Sequence, residues 1–252
     1  NNYINNFGLV KNDGGGVYTW IGTGTPNVGQ KITGNIIMNG IGFGEGTPKQ
    51  HGHSLGIYLD ERVRNVSVTN NTVSNCCSSG LYLHNAHEIE ITGNTFFNNG
   101  SGRPDLGSQV LFVHDTHSPD DPIRNVKINN NILFSRLSTQ IVFAFSTVDN
   151  DISRFGTADY NFYSRPLDDN QVIKTWSTGW NGVAVFRTLA DWQSYSGQDK
   201  NSKKSPVSLT DANKIRLEYN ASTSDKVVSL DGSYIDVKGA KYSGSITLAP
   251  YT

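Results

Sequence analysis

One stretch of this sequence says the same thing twice. Gly56–Leu59 reads GIYL and Gly80–Leu83 reads GLYL, 24 residues later. Val66–Thr72 reads VSVTNNT and Ile89–Thr95 reads IEITGNT, 23 residues later. Short runs of alternating apolar residues, separated by turn residues and repeated at this interval, suit a solenoid. Its coils would stack one strand spacing apart, about 4.8 Å. A leucine-rich repeat has a similar period but needs a leucine-and-asparagine consensus that is missing here.

Two strand types alternate along the chain. One is KITGNII (Lys31–Ile37), SVTNNTV (Ser67–Val73), EITGNTF (Glu90–Phe96) and KINNNIL (Lys127–Leu133), with Asn35, Asn71, Asn94 and Asn131 at equivalent places. The other is GVYTWIG (Gly16–Gly22), GIYLDER, GLYLHNA, VLFVHDT (Val110–Thr116) and IVFAFST (Ile141–Thr147). Asparagine tolerates the left-handed backbone of a tight bend, and its amide can bond the asparagine of the next coil. The 26 glycines, the many Asn, Ser and Thr, and the single Met fit many short strands and turns.

The repeats VTNNTVSNC and ITGNTFFNN resemble the right-handed parallel β-helix family of carbohydrate-active proteins, which includes pectate lyase-like, polygalacturonase-like and alginate lyase-like enzymes. The resemblance covers roughly residues 1–166. It implies an all-β, right-handed parallel β-helix solenoid, and it is specific for the fold rather than for one activity. After it, FRTLADWQSYSGQDKNS (Phe186–Ser202) predicts a short helix stopped at Gly197, so residues 167–205 read as a terminal coil plus helix. Residues 206–252 carry strand-like pieces with DG and KGAKYSG turns. They predict a small antiparallel β appendage that covers an open sheet edge.

With 21 basic and 22 acidic residues the net charge is -1, which gives no electrostatic reason to expect nucleic acid or an anionic membrane as partner. No apolar run is long enough to span a membrane as a helix. The adjacent Cys76 and Cys77 read as two packed thiols. The composition and the start in mid-pattern read as the C-terminal part of a longer secreted protein, extracellular or periplasmic, with its N-terminal remainder as a neighbour.

Side chains alternate across a strand, so Ile57, Leu59, Leu81 and Leu83 should face the core. Two outward columns then follow: Tyr18, Tyr58, Tyr82, Phe112, Phe143, and Trp20, Asp60, His84, His114, Phe145. An exposed aromatic column next to Asp and His suits a polysaccharide, whose C–H faces lie on rings while its hydroxyls need polar partners. Tyr18, Trp20, Tyr58, Tyr82, Phe112, Phe143 and His53 are therefore the expected substrate-binding residues. Asp60, His84, His114, Glu61 and Asp115 are the expected catalytic ones, since clustered titratable groups shift one another's pKa. His51 belongs to the same insertion as His53. The opposing expectation is that the insertions Gly42–Ser54 and Asn98–Gln109 fold over this face and bury the rings.

HGHSLGIYLD resembles the Gly-His-Gly strand segment of polygalacturonase-like hydrolases, but that family's paired aspartates are not matched. A glycoside hydrolase needs two carboxyl groups, with Asp60 as one and Glu61 or Asp115 as the other. A polysaccharide lyase needs a base and a group that neutralises a uronate; Tyr82, His84 and His114 could supply the base, but the columns contain no Lys or Arg. That prefers hydrolysis of a neutral glycan, with a lyase or a non-catalytic binding module as alternatives. No cofactor or metal is expected. HSPDDP (His117–Pro122) offers oxygens for calcium, but an acidic proline-containing turn is its commoner use.

Overall fold

The computed structural model describes residues 1–22, 25, 29–43, 45, 52–103 and 106–252. His51 and most of the Gly42–Ser54 insertion lie outside them. The chain winds through parallel strands that form three sheets, two of seven strands and one of five. The front sheet runs Gly14–Thr19, Ser54–Leu59, Leu81–His84, Ser108–His114, Ile141–Thr147 and Ile173–Trp176, and ends in the antiparallel Val185–Arg187. The five-stranded side sheet contains Arg64–Thr69, His87–Thr92 and Val126–Asn129; the back sheet contains Ile36–Gly40, Thr72–Ser74 and Thr95–Phe97. Each sheet sends every second side chain inward. Ile32, Val68, Ile91 and Ile128 stack from the side, and Ile37, Val73, Phe96 and Leu133 from the back.

The asparagines form one continuous ladder where the side sheet turns into the back sheet. The backbone N–H and the side-chain amide of Asn35 both donate to Asn71 Oδ1, at 3.0 and 2.9 Å. Asn71 repeats this on Asn94, Asn94 on Asn131, and Asn131 on Asn161. The left-handed backbone falls one residue earlier than the ladder asparagines, on Gly34, Asn70, Gly93, Asn130 and Tyr160, with φ between 54° and 70°. The ladder residues are thus held by bonding, while their neighbours make the bend.

The ladder ends on Ser202 Oγ, which accepts from Asn161 N at 2.8 Å. The helix Leu189–Ser196 sits next to this end. Thr188 and Asp191 form a capping box, and Gly197 terminates the helix at φ 70°. Its Trp192 stacks on Phe145, with centroids 4.9 Å apart, and donates to the buried Asp199 at 2.9 Å. Asp199 also accepts from Tyr163 and Ser202, so one carboxylate closes the end of the core. Beyond it, Lys226–Ser229 pairs antiparallel with Ser245–Leu248, and Tyr234–Ile235 with Lys241–Tyr242; the KGA turn closes the second pair as expected, whereas the DG turn joins two strands that do not pair with each other.

The register of the front sheet departs from the sequence reading after the third coil. Tyr82 pairs with Leu111 and His84 with Val113; Leu111 and Val113 pair with Ala144 and Ser146, which pair with Lys174 and Trp176. Phe112 therefore faces inward beside Leu83, and Phe143, Phe145 and His114 turn inward with it. Phe112, Phe143, Phe145 and Trp192 fill the core together. VLFVH and IVFAF are apolar on both faces, so alternation alone cannot tell which face is which, and a slip of one residue exchanges them.

Candidate functional site

The two columns of the outer front face run Tyr18, Tyr58, Tyr82, Leu111, Ala144, Lys174 and, beside it, Asp60, His84, Val113, Ser146, Trp176. The rings of the first column stack from coil to coil: Tyr18 to Tyr58 at 5.0 Å and Tyr58 to Tyr82 at 4.8 Å. Tyr18 and Trp20 are exposed, at 49% and 56%, whereas Tyr58 and Tyr82 retain only 5% and 8%. Their neighbours cover them: His53 lies 6.3 Å from the Tyr82 ring, and Leu106 packs into the same apolar cluster. His53 and Leu106 thus help to cover the middle of the face, while its Tyr18–Trp20 end is open. Phe112 and Phe143 are core residues rather than part of any groove.

Asp60 follows the end of its strand and His84 ends the next one, and their side chains meet. His84 Nδ1–H donates to Asp60 Oδ1 at 2.8 Å, and Nε2–H donates to Asp115 Oδ2 at 3.0 Å. The imidazole is gripped between two carboxylates contributed by coils on either side. Burial works against its charge, but the bonds to Asp115 and Asp60 outweigh that and push the pKa up to about 9. Asp115 is held well below the usual carboxylate range: burial would raise it, and the bonds from His84 and His117 lower it further than that. Asp60 is also lowered, against burial, by His84, the Glu61 N–H and the Tyr18 hydroxyl. At neutral pH the cluster reads carboxylate, imidazolium, carboxylate.

Further contacts position the cluster. Tyr18 O–H donates to Asp60 Oδ2 at 2.9 Å. Trp20 Nε1–H donates to Glu61 Oε2 at 3.2 Å. The buried Asn85 donates to Asp115 Oδ1 at 3.1 Å and accepts the Asp115 N–H at 3.0 Å. His117 Nδ1 lies 2.9 Å from Asp115 Oδ2. Sequence reasoning named Asp60, Glu61, His84 and Asp115, whose side chains the structure places near one another. It missed Asn85 and His117, whose only signal was their position beside His84 and Asp115.

His114 leaves this group. It is buried beneath the strand end, with Nδ1 3.5 Å from Asp151 Oδ1, and Asp151 accepts from Thr147 and pairs with Arg124 at 2.6 Å. Among the described residues, two trios of His and carboxylate side chains are spaced to hold a metal: Glu61, His84, His117, and His114, Asp149, Asp151. The HSPDDP segment supplies His117 to the first trio and no carboxylate to either. Its Asp121 is paired with His87 at 2.7 Å, and its backbone N–H closes a turn on Ser118.

The far end of the face holds a residue absent from the sequence-derived columns. Lys174 occupies the first column, its Nζ 4.2 Å from the Trp176 ring centroid and 5.3 Å from that of Phe186. A cation therefore belongs to this face after all.

A continuous coil stack of this kind is what the family comparison describes: the family model named right handed beta helix region matches residues 1–154. The chain belongs to the right-handed β-helix family. That family fits carbohydrate-active proteins broadly, in a fold that hosts several chemistries. No curated protein and no solved structure gives a significant match to this β-helix chain. Among the described residues no helix of the β-helix protein is long and apolar enough to cross a membrane.

Proposed function

We propose that this β-helix protein is a secreted glycoside hydrolase whose chemistry centres on Asp60, His84 and Asp115. The observation that carries the reading is the imidazolium bridged between two carboxylates, next to the exposed rings of Tyr18 and Trp20. Glycosidic cleavage needs a proton for the leaving oxygen and a carboxylate that activates water. His84 carries a proton through neutral pH and is the donor in this proposal. Asp60, next to the open end of the face, is the base. Tyr18 and Trp20 give the sugar its stacking surface.

A second reading, elimination on an acidic glycan, takes Lys174 as the group that would hold a uronate carboxylate; this residue is 9% exposed and seated against Trp176 and Phe186, so it would have to turn outward to do so. A panel of neutral and acidic polysaccharides separates the readings. New reducing ends without unsaturated product support hydrolysis, and the two together identify a lyase. Retention on a glycan with no cleavage leaves a binding module and overturns the catalytic proposal.

A further inference from the structure

We infer that the cluster also forms a binding site for one divalent transition-metal ion of the zinc type, held by Glu61, His84, Asp115 and His117. One ligand atom from each of Glu61, His84 and His117 lies within 4.8 Å of the others. Asp115 Oδ2 stands 3.0 Å from His84 Nε2 and 2.9 Å from His117 Nδ1. A tetrahedral ion with bonds of about 2.0–2.2 Å holds its donors roughly 3.3–3.5 Å apart, so these three atoms already stand near the required triangle. Glu61 completes the set by a small side-chain movement.

The surroundings match what a metal-bound imidazole requires. A ligating histidine donates its other ring N–H to a carboxylate, which fixes its tautomer and orientation. Here Asp60 Oδ1 lies 2.8 Å from His84 Nδ1, leaving Nε2 for the ion. Asn85 binds Asp115 Oδ1 and leaves Oδ2 facing the histidines. Trp20 steadies Glu61. Two imidazoles with two carboxylates select a borderline cation such as zinc, whereas calcium takes six to eight oxygens. When the ion binds, the Nε2 proton of His84 leaves to solvent, while the Nδ1 proton stays on the ring and is donated to Asp60 Oδ1. The ion then stands where the imidazolium proton stood, as the electrophile of the same face. The other trio differs, because the Arg124 guanidinium already neutralises Asp151 at 2.6 Å.

Metal binding is measured without sugar, so its failure is distinct from failure of the glycan reading. Chelator-stripped protein is titrated calorimetrically with zinc chloride and, in parallel, calcium chloride. One zinc per chain with no calcium heat is expected. His117→Ala should weaken zinc binding at least tenfold and keep its fold, since that side chain is 67% exposed. Asp60→Asn should weaken it about 10–100-fold. His87→Gln, whose imidazole pairs with Asp121, should leave it unchanged. Cobalt in place of zinc should give tetrahedral visible absorption that His117→Ala reduces. Absence of zinc binding, or equal zinc affinity and cobalt spectra in wild type and His117→Ala, would overturn the site.

Discussion

Raising the pH from about 6 to about 9 should remove part of the protein's stability, with His84 responsible. Its folded pKa of about 9 lies above the ordinary 6.5. A raised pKa means the stabilisation is complete below 6.5 and disappears as the pH rises through about 9. At about 1.4 kcal/mol per pKa unit, the gap corresponds to about 3 kcal/mol. Asp60 and Asp115 act in the opposite sense: their lowered pKa values give stabilisation that is present above the usual carboxylate range and lost on acidification. The same two hydrogen bonds underlie both limbs, so the acid and alkaline losses are one interaction seen from two sides and do not add. The assay is urea unfolding of chelated protein near pH 6 and near pH 9, for wild type and His84→Gln, with the imidazole titration followed by NMR. Wild type should lose stability across this range and the variant should lose much less. An equal alkaline loss in His84→Gln, or a His84 titration centred near 6.5, would refute the reasoning.

Asn94→Ala should cost about 2–4 kcal/mol in the denaturant midpoint, because it strips partners from the buried Asn71 and Asn131 amides and from the Val68 carbonyl. Asp199→Ala should destabilise comparably by orphaning Trp192 and Tyr163, while Asp199→Asn should cost less, because burial already raises this carboxyl toward its neutral form. Phe112→Ala should cost about 3–5 kcal/mol as a core cavity, whereas Trp20→Ala should leave the melting temperature unchanged and weaken glycan binding; the reverse pattern would contradict the register.

The coil and its ladder were legible because they repeat. Each ladder asparagine sits in the same phrase, and the apolar alternation of GIYL and GLYL admits one register. Asp60 and His84 could be paired for the same reason. Legibility ended where the phrase became apolar on both faces: VLFVH permits two registers, and the packing of Phe112, Phe143 and Phe145 with Trp192, nearly fifty residues downstream of Phe145, decides between them. The correction put Lys174 on the face and moved His114 off it. Burial of Tyr58 and Tyr82 depends on how His53 and Leu106 return over the sheet, which no alternation pattern encodes. Asn85 and His117 act through tertiary contacts with Asp115 and carry no repeat signal of their own.

The most direct test of the account is reducing-end release from a polysaccharide panel by wild type and Asp60→Asn, with folding of both checked by circular dichroism. Asp60 is the base in this account, and an amide cannot take up the proton of the attacking water. Wild type should therefore cleave at least one glycan, and Asp60→Asn should retain no more than about a hundredth of that rate. Full activity in folded Asp60→Asn, or no cleavage of any glycan by wild type, would contradict the claim that this cluster is a catalytic centre.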